Sequence, residues 1–185
     1  MRRREAVLAR RDKRKEQLLQ ESDYLLGVHD AGRMGGLRFK TRTDGPFLAA
    51  GLELVIPPWK RLRELEAAAR KFELDDADET PSTAGAWLDL LFAPGSSLGG
   101  ARPKASVVDP DGQLWIAKFP SPRDSIDVGA WEMVLHDLAR QVGLSVPDSR
   151  LERFSDHGST FLAKRFDRTA EQSRIHFASA MTMLG

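Results

Sequence analysis

A glycine-rich, basic stretch at residues 96–104 carries most of the chemistry that this sequence suggests. It reads S-S-L-G-G-A-R-P-K. Consecutive glycines let the backbone approach a ligand closely, so that their N–H groups can surround a phosphate. Arg102 and Lys104 add positive charge at the same place. The stretch matches neither a Walker A loop nor the glycine-rich loop of eukaryotic kinases, so by itself it indicates a structural loop more than a phosphate-binding one.

A lysine and a glutamate, Lys118 and Glu132, follow this stretch in the order that phosphate chemistry requires. Residues 105–108 and 113–119 are predicted as two strands joined by D-P-D-G, which fits a type I turn. Lys118 shares a strand face with two apolar residues, and a lysine there needs an anion or a carboxylate partner. Glu132 lies on a helix predicted at residues 127–142. A flexible loop, a strand lysine and a helix glutamate are what a nucleotide-binding kinase lobe needs.

The helix predicted at residues 127–142 is the most regular amphipathic segment of the chain. Ser125 or Asp127 can cap its start, and Gly143 can end it. Glu132 lies at the margin of its apolar stripe, where a glutamate is usually only a rim charge, but its place after a strand lysine favours pairing with that lysine. The stripe consists of Val128, Trp131, Leu135, Leu138, Ala139 and Val142.

The other predicted elements are shorter. Residues 59–72 have apolar side chains spaced three and four apart, which predicts a helix packed on the core. A boundary between two parts of the chain is expected within residues 73–95. The remaining elements are a basic helix at 5–21, strands at 23–28 and 37–40 flanking a turn-rich segment at 29–36, an extended piece at 47–56, a helix at 84–92, a second hairpin at 150–154 and 160–166, and a helix at 175–184.

Composition limits the classes of protein that this chain can represent. It has 185 residues, of which 41% are hydrophobic and 30% charged, and its formal net charge is +1. These values are typical of a globular protein and argue against a general polyanion binder. Cysteine is absent, which excludes disulfides, and no apolar run approaches the roughly 20 residues of a membrane span. A cytoplasmic location is expected. His29 and Asp30 are adjacent but have no further ligand at metal spacing, so a turn is predicted there and no metal site.

Five stretches together resemble the HipA family of bacterial toxin kinases, which are serine/threonine kinases of type II toxin–antitoxin systems. The resemblance implies an α+β fold. It comprises a HipA-like N-terminal subdomain at 1–92 and a protein-kinase-like N-lobe of antiparallel strands and packed helices at 93–185. The similar stretches are D-Y-L-L-G-V-H-D-A-G-R-M-G-G-L-R-F at 23–39, S-L-G-G-A-R-P-K-A at 97–105, I-A-K-F-P at 116–120, the helix and the segment after it at 131–147, and F-L-A-K-R-F-D-R at 161–168.

The resemblance implies roles for individual residues. Ser97 matches the serine that family members autophosphorylate, a modification that ejects the loop and switches the kinase off, and Ser96 is the neighbouring alternative. Lys118 matches the lysine that contacts the ATP phosphates, and Glu132 matches the helix acid. Lys164 stands where some members have an acid. The other matches are Leu98, Gly99, Gly100 and Ala101 in the loop that covers the phosphates, and Lys164, Arg165 and Phe166 at the hinge, which contacts adenine mainly through its backbone.

The catalytic residues of the family are expected outside this sequence. HipA-like kinases carry a catalytic Asp and Mg²⁺-binding Asn and Asp residues in a helical C-lobe. No catalytic residue is therefore assigned here, and the catalytic Asp and the magnesium ligands are expected beyond Gly185. Because phosphoryl transfer needs both the positioned nucleophile and the metal, the chain alone is expected to be inactive. It is most simply a fragment or a truncated member of a longer kinase.

Three functions are weighed from the sequence. The first is the ATP-binding part of a HipA-like kinase that phosphorylates a protein serine. Its implied substrate is a translation component such as an aminoacyl-tRNA synthetase, and its implied partner is a DNA-binding antitoxin of the HipB type. The second is a non-catalytic binding or inhibitory module for the antitoxin or for a separately encoded kinase lobe. The third is a nucleic-acid-binding scaffold built on basic residues 2–15, although a solvated helix is the favoured interpretation of that charge.

Overall fold

The computed structural model describes residues 5–6, 9–10, 12–48, 50, 56–74 and 102–185, without the side chain of Phe72. The predicted helix at 84–92, the loop at 96–101, and most of the extended piece at 47–56 and of the boundary region at 73–95 lie outside these residues. The elements are α1 (Glu21–Leu26), a 3₁₀ turn (Trp59–Arg61), α2 (Leu62–Leu74), β1 (Lys104–Val108), β2 (Leu114–Lys118), α3 (Val128–Gln141), β3 (Ser149–Ser155), β4 (Gly158–Lys164) and α4 (Ala180–Leu184).

Two hairpins form one four-stranded antiparallel sheet in the order β1-β2-β4-β3. Both hairpins were predicted from the sequence and are confirmed. At the β1–β2 turn, the N–H of Gly112 donates to the carbonyl of Asp109 at 3.0 Å, and Gly112 has a φ of +78°. The Asp109 carboxylate also accepts the N–H of Gln113 at 2.8 Å. Local turn chemistry therefore fixes the register that opposes Lys118 to Lys104.

One face of the sheet packs against α2. Trp115, Ala117 and Phe119 of the second strand are buried on this face, as their period-two spacing predicts. Trp59 meets Trp115 edge to face with ring centroids 5.3 Å apart. The buried apolar cluster that joins the sheet and α2 comprises Leu62, Leu65, Ala69, Ala105, Val107, Trp115, Ala117, Phe119 and Leu162.

The opposite face of the sheet carries α3, which packs on β4 and β3. Gly129 is buried here, and a Cβ at this position would lie 2.9 Å from the carbonyl carbon of Ser159 and closer still to its oxygen. Asp127 caps the helix, as predicted, by accepting the N–H of Ala130 at 3.0 Å. The same carboxylate accepts the N–H of Ser159 at 3.0 Å and its hydroxyl at 2.7 Å. Asp127 therefore both starts α3 and fastens it to β4.

Replacing Asp127 with alanine is expected to lower the free energy of unfolding by about 1–2 kcal/mol at pH 7, the usual cost of losing a cap. Burial acts to raise the pKa of this carboxyl, but hydrogen bonds from Ala130 and Ser159 outweigh it and lower the pKa below the ordinary 3.8. The contribution of the Asp127 carboxylate to the free energy of unfolding is therefore fully present above pH 3.8. It is lost as the pH falls through the lowered pKa. Urea unfolding at pH 7 and pH 3 measures both effects, with exposed Asp156→Ala as the control. An equal effect at both pH values would contradict the argument.

The apolar stripe of α3 points away from the sheet. Trp131 is 57% exposed and Leu135 is 63% exposed. Phe161 is instead covered by His136, whose ring centroid lies 4.9 Å away. Since small and polar residues of α3 face the sheet, the stripe predicted from the sequence forms an exposed surface. Its exposed members are Trp131, Leu135, Leu138 and Val142, and Val134 beside them is exposed as well.

The prediction of a helix at residues 5–21 is wrong for the second half of that range. The chain turns at Lys13, whose φ is 51°, and has no regular structure from there to α1. Arg14 donates its N–H to the carbonyl of Ala9 at 2.9 Å and its guanidinium to Glu5. Because this basic segment has only a thin apolar face, a packed helical stripe does not stabilise it.

The two short strands predicted near the N-terminus are also wrong. Residues 23–28 fall mostly in helix α1, because the Asp23 carboxylate accepts the N–H of Gln20 at 2.8 Å and satisfies the start of a helix. Residues 37–40 form no strand, and Lys40 makes only an isolated bridge. The sheet lies elsewhere and offers them no partner strand.

The helix predicted at residues 175–184 is shorter than expected, since only α4 is helical. Ser179 has extended angles and caps α4 through a hydrogen bond from the N–H of Thr182 at 3.1 Å. The residues before it are held elsewhere: the N–H of Ile175 donates to the carbonyl of Asp167 at 3.0 Å. This tertiary contact prevents the helix from starting earlier. No helix among the described residues is both long and apolar enough to cross a membrane.

Candidate functional site

The predicted lysine and glutamate meet in the structure. Lys118 ends β2, Glu132 lies in the first half of α3, and their side chains form an ion pair. Both side chains are partly buried, with 32% and 26% of their surfaces exposed. The ammonium group of Lys118 also lies 5.5 Å from the centroid of the Phe161 ring. The pair thus joins the sheet to the helix at a position that solvent can reach.

A second lysine raises the positive charge at this pair. Lys104 of β1 lies directly opposite Lys118 in the register, so both side chains belong to the same face of the sheet. Burial lowers the pKa of Lys104, and the charge of Lys118 lowers it further, while Glu132 opposes that change. Two lysines and one carboxylate are therefore close together. The two lysines concentrate positive charge on this face of the sheet.

A further ion pair fixes the C-terminal part of the glycine-rich stretch. Arg102 pairs with Asp124, and both side chains are largely buried. Asp124 also accepts the N–H of Ser121 at 2.8 Å, which closes the turn after β2. The C-terminal end of the stretch is thereby held beside the end of β2 that carries Lys118. The predicted loop residues themselves, Ser96, Ser97, Leu98, Gly99, Gly100 and Ala101, lie outside the described residues.

The predicted hinge residues lie at the other end of the two central strands. Lys164 pairs with Trp115 in the register, so its side chain belongs to the face opposite that of Lys118. The N–H of Arg165 donates to the carbonyl of Leu114 at 2.8 Å and joins the end of β4 to the start of β2. The side chain of Lys164 is therefore not on the face of the sheet that carries Lys118. Lys164 itself lines an open cavity of about 410 Å³, whose lining includes neither Lys118 nor Glu132.

The exposed hinge residue Phe166 is oriented by another aromatic ring. Its side chain is 52% exposed, and its ring meets Phe177 with centroids 4.8 Å apart. No described residue makes a hydrogen bond to its peptide N–H or carbonyl. Hydrogen bonds within the described part of the chain therefore do not occupy these two groups.

A buried charge network next to the hinge was missed by sequence reasoning. Asp167 is fully buried and pairs with Arg165 and Arg168. It also accepts the N–H of Gly35 at 2.7 Å. Burial acts to raise the pKa of this carboxyl, but the hydrogen bonds from Arg165 and Gly35 and the charge of Arg168 hold it below 3.8. The network therefore links residues separated by 132 positions in the sequence.

A second carboxylate extends the network. Asp30 is buried and pairs with Arg38 and Arg174. The Arg38 guanidinium lowers the pKa of Asp30, while burial opposes this change. The turn predicted at His29 is confirmed, since the ring Nδ1 of His29 accepts the N–H of Ala31 at 3.2 Å. In the described part of the chain, no group of three or more acidic, histidine or cysteine side chains could hold a metal ion.

The C-terminal part of the chain thus forms an α+β unit in which a four-stranded antiparallel sheet and one helix present a lysine–glutamate pair. The family model of the HipA-like C-terminal domain matches residues 96–185, and this match supports the HipA family. That family is generally kinase-like and is generally linked to HipB antitoxins. Neither the curated proteins nor the solved structures contain a match to the chain.

Proposed function

We propose that this chain is the ATP-binding part of a HipA-like kinase that transfers the γ-phosphoryl group of ATP to a protein serine. The single observation that carries the proposal is the ion pair between Lys118 and Glu132. A kinase lobe requires a strand lysine that a helix glutamate holds in place beside the phosphates. The match of the HipA-like domain to residues 96–185 supports the same function.

The charges around this pair suit ATP phosphates. Lys118 and Lys104 face the same side of the sheet, beside Glu132. Bound phosphates would add negative charge next to these lysines, and ammonium groups bind phosphate well as point charges. The glycine-rich stretch would add backbone N–H groups over those phosphates, through Leu98, Gly99, Gly100 and Ala101. Phe166 would offer its free peptide groups to the adenine.

Replacing Lys118 with methionine is expected to weaken ATP binding about 10- to 100-fold, because a hydrogen bond to a charged group contributes about 1.5–3 kcal/mol. Methionine retains most of the side-chain volume, so the sheet should remain folded. Isothermal titration calorimetry of the full chain with ATP measures the change. Exposed Lys60, in the 3₁₀ turn, provides a matched control as Lys60→Met. The proposal fails if the wild type does not bind ATP or if both variants bind it equally well.

Phosphoryl transfer is proposed to need a C-lobe that supplies the catalytic Asp and the Mg²⁺ ligands. Mg²⁺, held by residues of that lobe, would supply positive charge that neutralises the charge developing during transfer. The chain's own contribution is to bind ATP and to present Ser97, or its neighbour Ser96, as the autophosphorylated residue. Incubation with ATP and Mg²⁺ followed by mass spectrometry tests this division of roles. Phosphate on Ser97 only when a C-lobe is supplied supports it, and robust activity of residues 1–185 alone contradicts it.

The proposed substrate is a serine of a translation component such as an aminoacyl-tRNA synthetase, and the proposed partner is a DNA-binding antitoxin of the HipB type. These two assignments rest on the HipA family and not on the site geometry. DNA would then be contacted through the antitoxin.

The alternative function is a non-catalytic module that binds the antitoxin or a separately encoded kinase lobe. The exposed apolar stripe of α3, which includes Trp131 and Leu135, favours this alternative because large exposed apolar patches commonly mark interaction sites. ATP binding separates the two functions. A module of this kind would form a complex with the C-lobe whether or not ATP is present. The substitution Lys118→Met would not change the formation of that complex.

A further inference from the structure

We propose that Asp167 is a positioning residue that holds the hinge in the conformation that receives the adenine base, by clamping it to residues 30–36. The proposal deepens the proposed function and rests on it. Asp167 directly follows Phe166, whose peptide N–H and carbonyl make no hydrogen bond to any described residue. The residues on either side of those two free groups are, in contrast, tightly fixed.

Three contacts fix the backbone around Phe166. On one side, the N–H of Arg165 donates to the carbonyl of Leu114 at 2.8 Å. On the other side, the carbonyl of Asp167 accepts the N–H of Ile175 at 3.0 Å, and its carboxylate accepts the N–H of Gly35 at 2.7 Å. The hinge is therefore attached to the sheet, to the segment after it and to an N-terminal loop.

The Asp167 carboxylate also orients the guanidinium groups that hold this loop. Arg165 donates to the carboxylate through Nε at 2.8 Å and through Nη2 at 2.6 Å. Its Nη1 donates to the carbonyl of Gly32 at 2.8 Å, and Nη2 also donates to the carbonyl of Arg33 at 3.1 Å. Arg168 donates to the same carboxylate at 2.7 Å and to the carbonyl of Arg33 at 2.8 Å. Asp167 thus orients two arginines whose N–H groups also donate hydrogen bonds to the carbonyls of this loop.

Gly35 completes the clamp because its backbone is suited to this contact. Its φ is +69°, a conformation that glycine adopts readily, and its N–H points at the Asp167 carboxylate. A Cβ on Gly35 would lie 3.4 Å from the ring of Phe177, the residue that packs against Phe166. The loop is therefore bound to the hinge through the carboxylate, and Gly35 leaves room for the ring that packs on Phe166.

The test compares three ligands on the full chain by calorimetry: ATP, adenosine and inorganic tripolyphosphate. Asp167→Asn is expected to weaken the binding of adenosine and of ATP by the same factor, about tenfold. The reason is that the hinge must then become ordered when the ligand binds. Tripolyphosphate should bind as in the wild type, since it contacts only the lysine end of the sheet. Lys118→Met should show the opposite pattern, with weaker binding of ATP and tripolyphosphate and unchanged adenosine. Exposed Asp111→Asn serves as the matched control.

Three results would overturn the positioning role of Asp167. They are unchanged adenosine binding by Asp167→Asn, an equal loss for all three ligands, and a normal exchange rate of the Gly35 amide in that variant. If the wild type binds no ATP, the proposed function itself is overturned. The exchange rate of the Gly35 amide still tests in that case whether Asp167 holds the loop. If Asp167→Asn does not fold, Arg174→Gln should show the same ligand pattern, because Arg174 donates to the carbonyls of Arg33 and Gly35 at 3.1 and 3.3 Å.

Discussion

Replacing Asp167 with alanine should lower the free energy of unfolding by about 3–5 kcal/mol, the cost of removing one partner from a buried ion pair. The side chains of Asp167 and Arg165 are fully buried, and that of Arg168 is 4% exposed. Without the carboxylate, two buried guanidinium groups would lose their negatively charged acceptor, and the N–H of Gly35 would lose its acceptor. Equilibrium unfolding in urea, followed by tryptophan fluorescence, measures the loss.

The matched control is Asp111→Ala, which removes an exposed aspartate from the β1–β2 turn and should change stability by less than about 0.5 kcal/mol. If Asp167→Ala lowers the free energy of unfolding by less than about 1 kcal/mol, then water or other groups replace the carboxylate as the acceptor for the arginines. The pKa of Asp167 is lowered, so its contribution is present at neutral pH and is lost only in strong acid, below its ordinary value of 3.8.

Replacing Gly129 with alanine should destabilise the protein by about 3 kcal/mol or more, at the upper end of overpacking effects. The added Cβ would overlap the peptide group of Ser159, which is backbone and cannot rotate away. Alanine favours a helix over glycine by only about 1 kcal/mol, which is too little to offset this overlap. To relieve the overlap, α3 must move away from β4.

Such a movement should also affect the candidate site, because Glu132 lies one turn after Gly129 on α3. The variant is therefore expected to lose ATP affinity as well as stability, even though Gly129 itself contacts no proposed ligand. Urea unfolding and calorimetry with ATP test the two effects. Gly45→Ala is the control, since a Cβ there would meet Arg42 at an ordinary 3.4 Å. Wild-type stability of Gly129→Ala would show that α3 and β4 can separate at little cost.

Much of the C-terminal half could be predicted from the sequence because its signals are local. The D-P-D-G turn, the period-two strands and the cap at Asp127 each depend on a few neighbouring residues, and all three are confirmed. The pairing of Lys118 with Glu132 needed one further step, the placement of a helix after a hairpin. Glycine at position 129 gave no comparable signal, since its role depends on how closely α3 approaches β4.

The N-terminal half was predicted poorly because its structure depends on distant contacts. The segment Y-L-L-G-V suggests a strand, yet the interaction of Asp23 with Gln20 starts a helix there. The arginines at 33, 38, 165, 168 and 174 lie far apart in the sequence, so no spacing rule groups them around Asp30 and Asp167. Periodicity likewise revealed the apolar stripe of α3 but could not indicate which side of the helix faces the sheet.

The contact between Gly35 and Asp167 has a consequence for synthesis of the chain. The two residues are 132 positions apart. At about 5–20 residues added per second, the ribosome completes Asp167 roughly 7–26 s after Gly35. During this interval the loop at 30–36 has no carboxylate to accept its amide and no arginine to hold its carbonyls. The N-terminal loop is therefore expected to be secured late, after the hairpins that precede Asp167 have formed, and to be sensitive to proteases and chaperones until then.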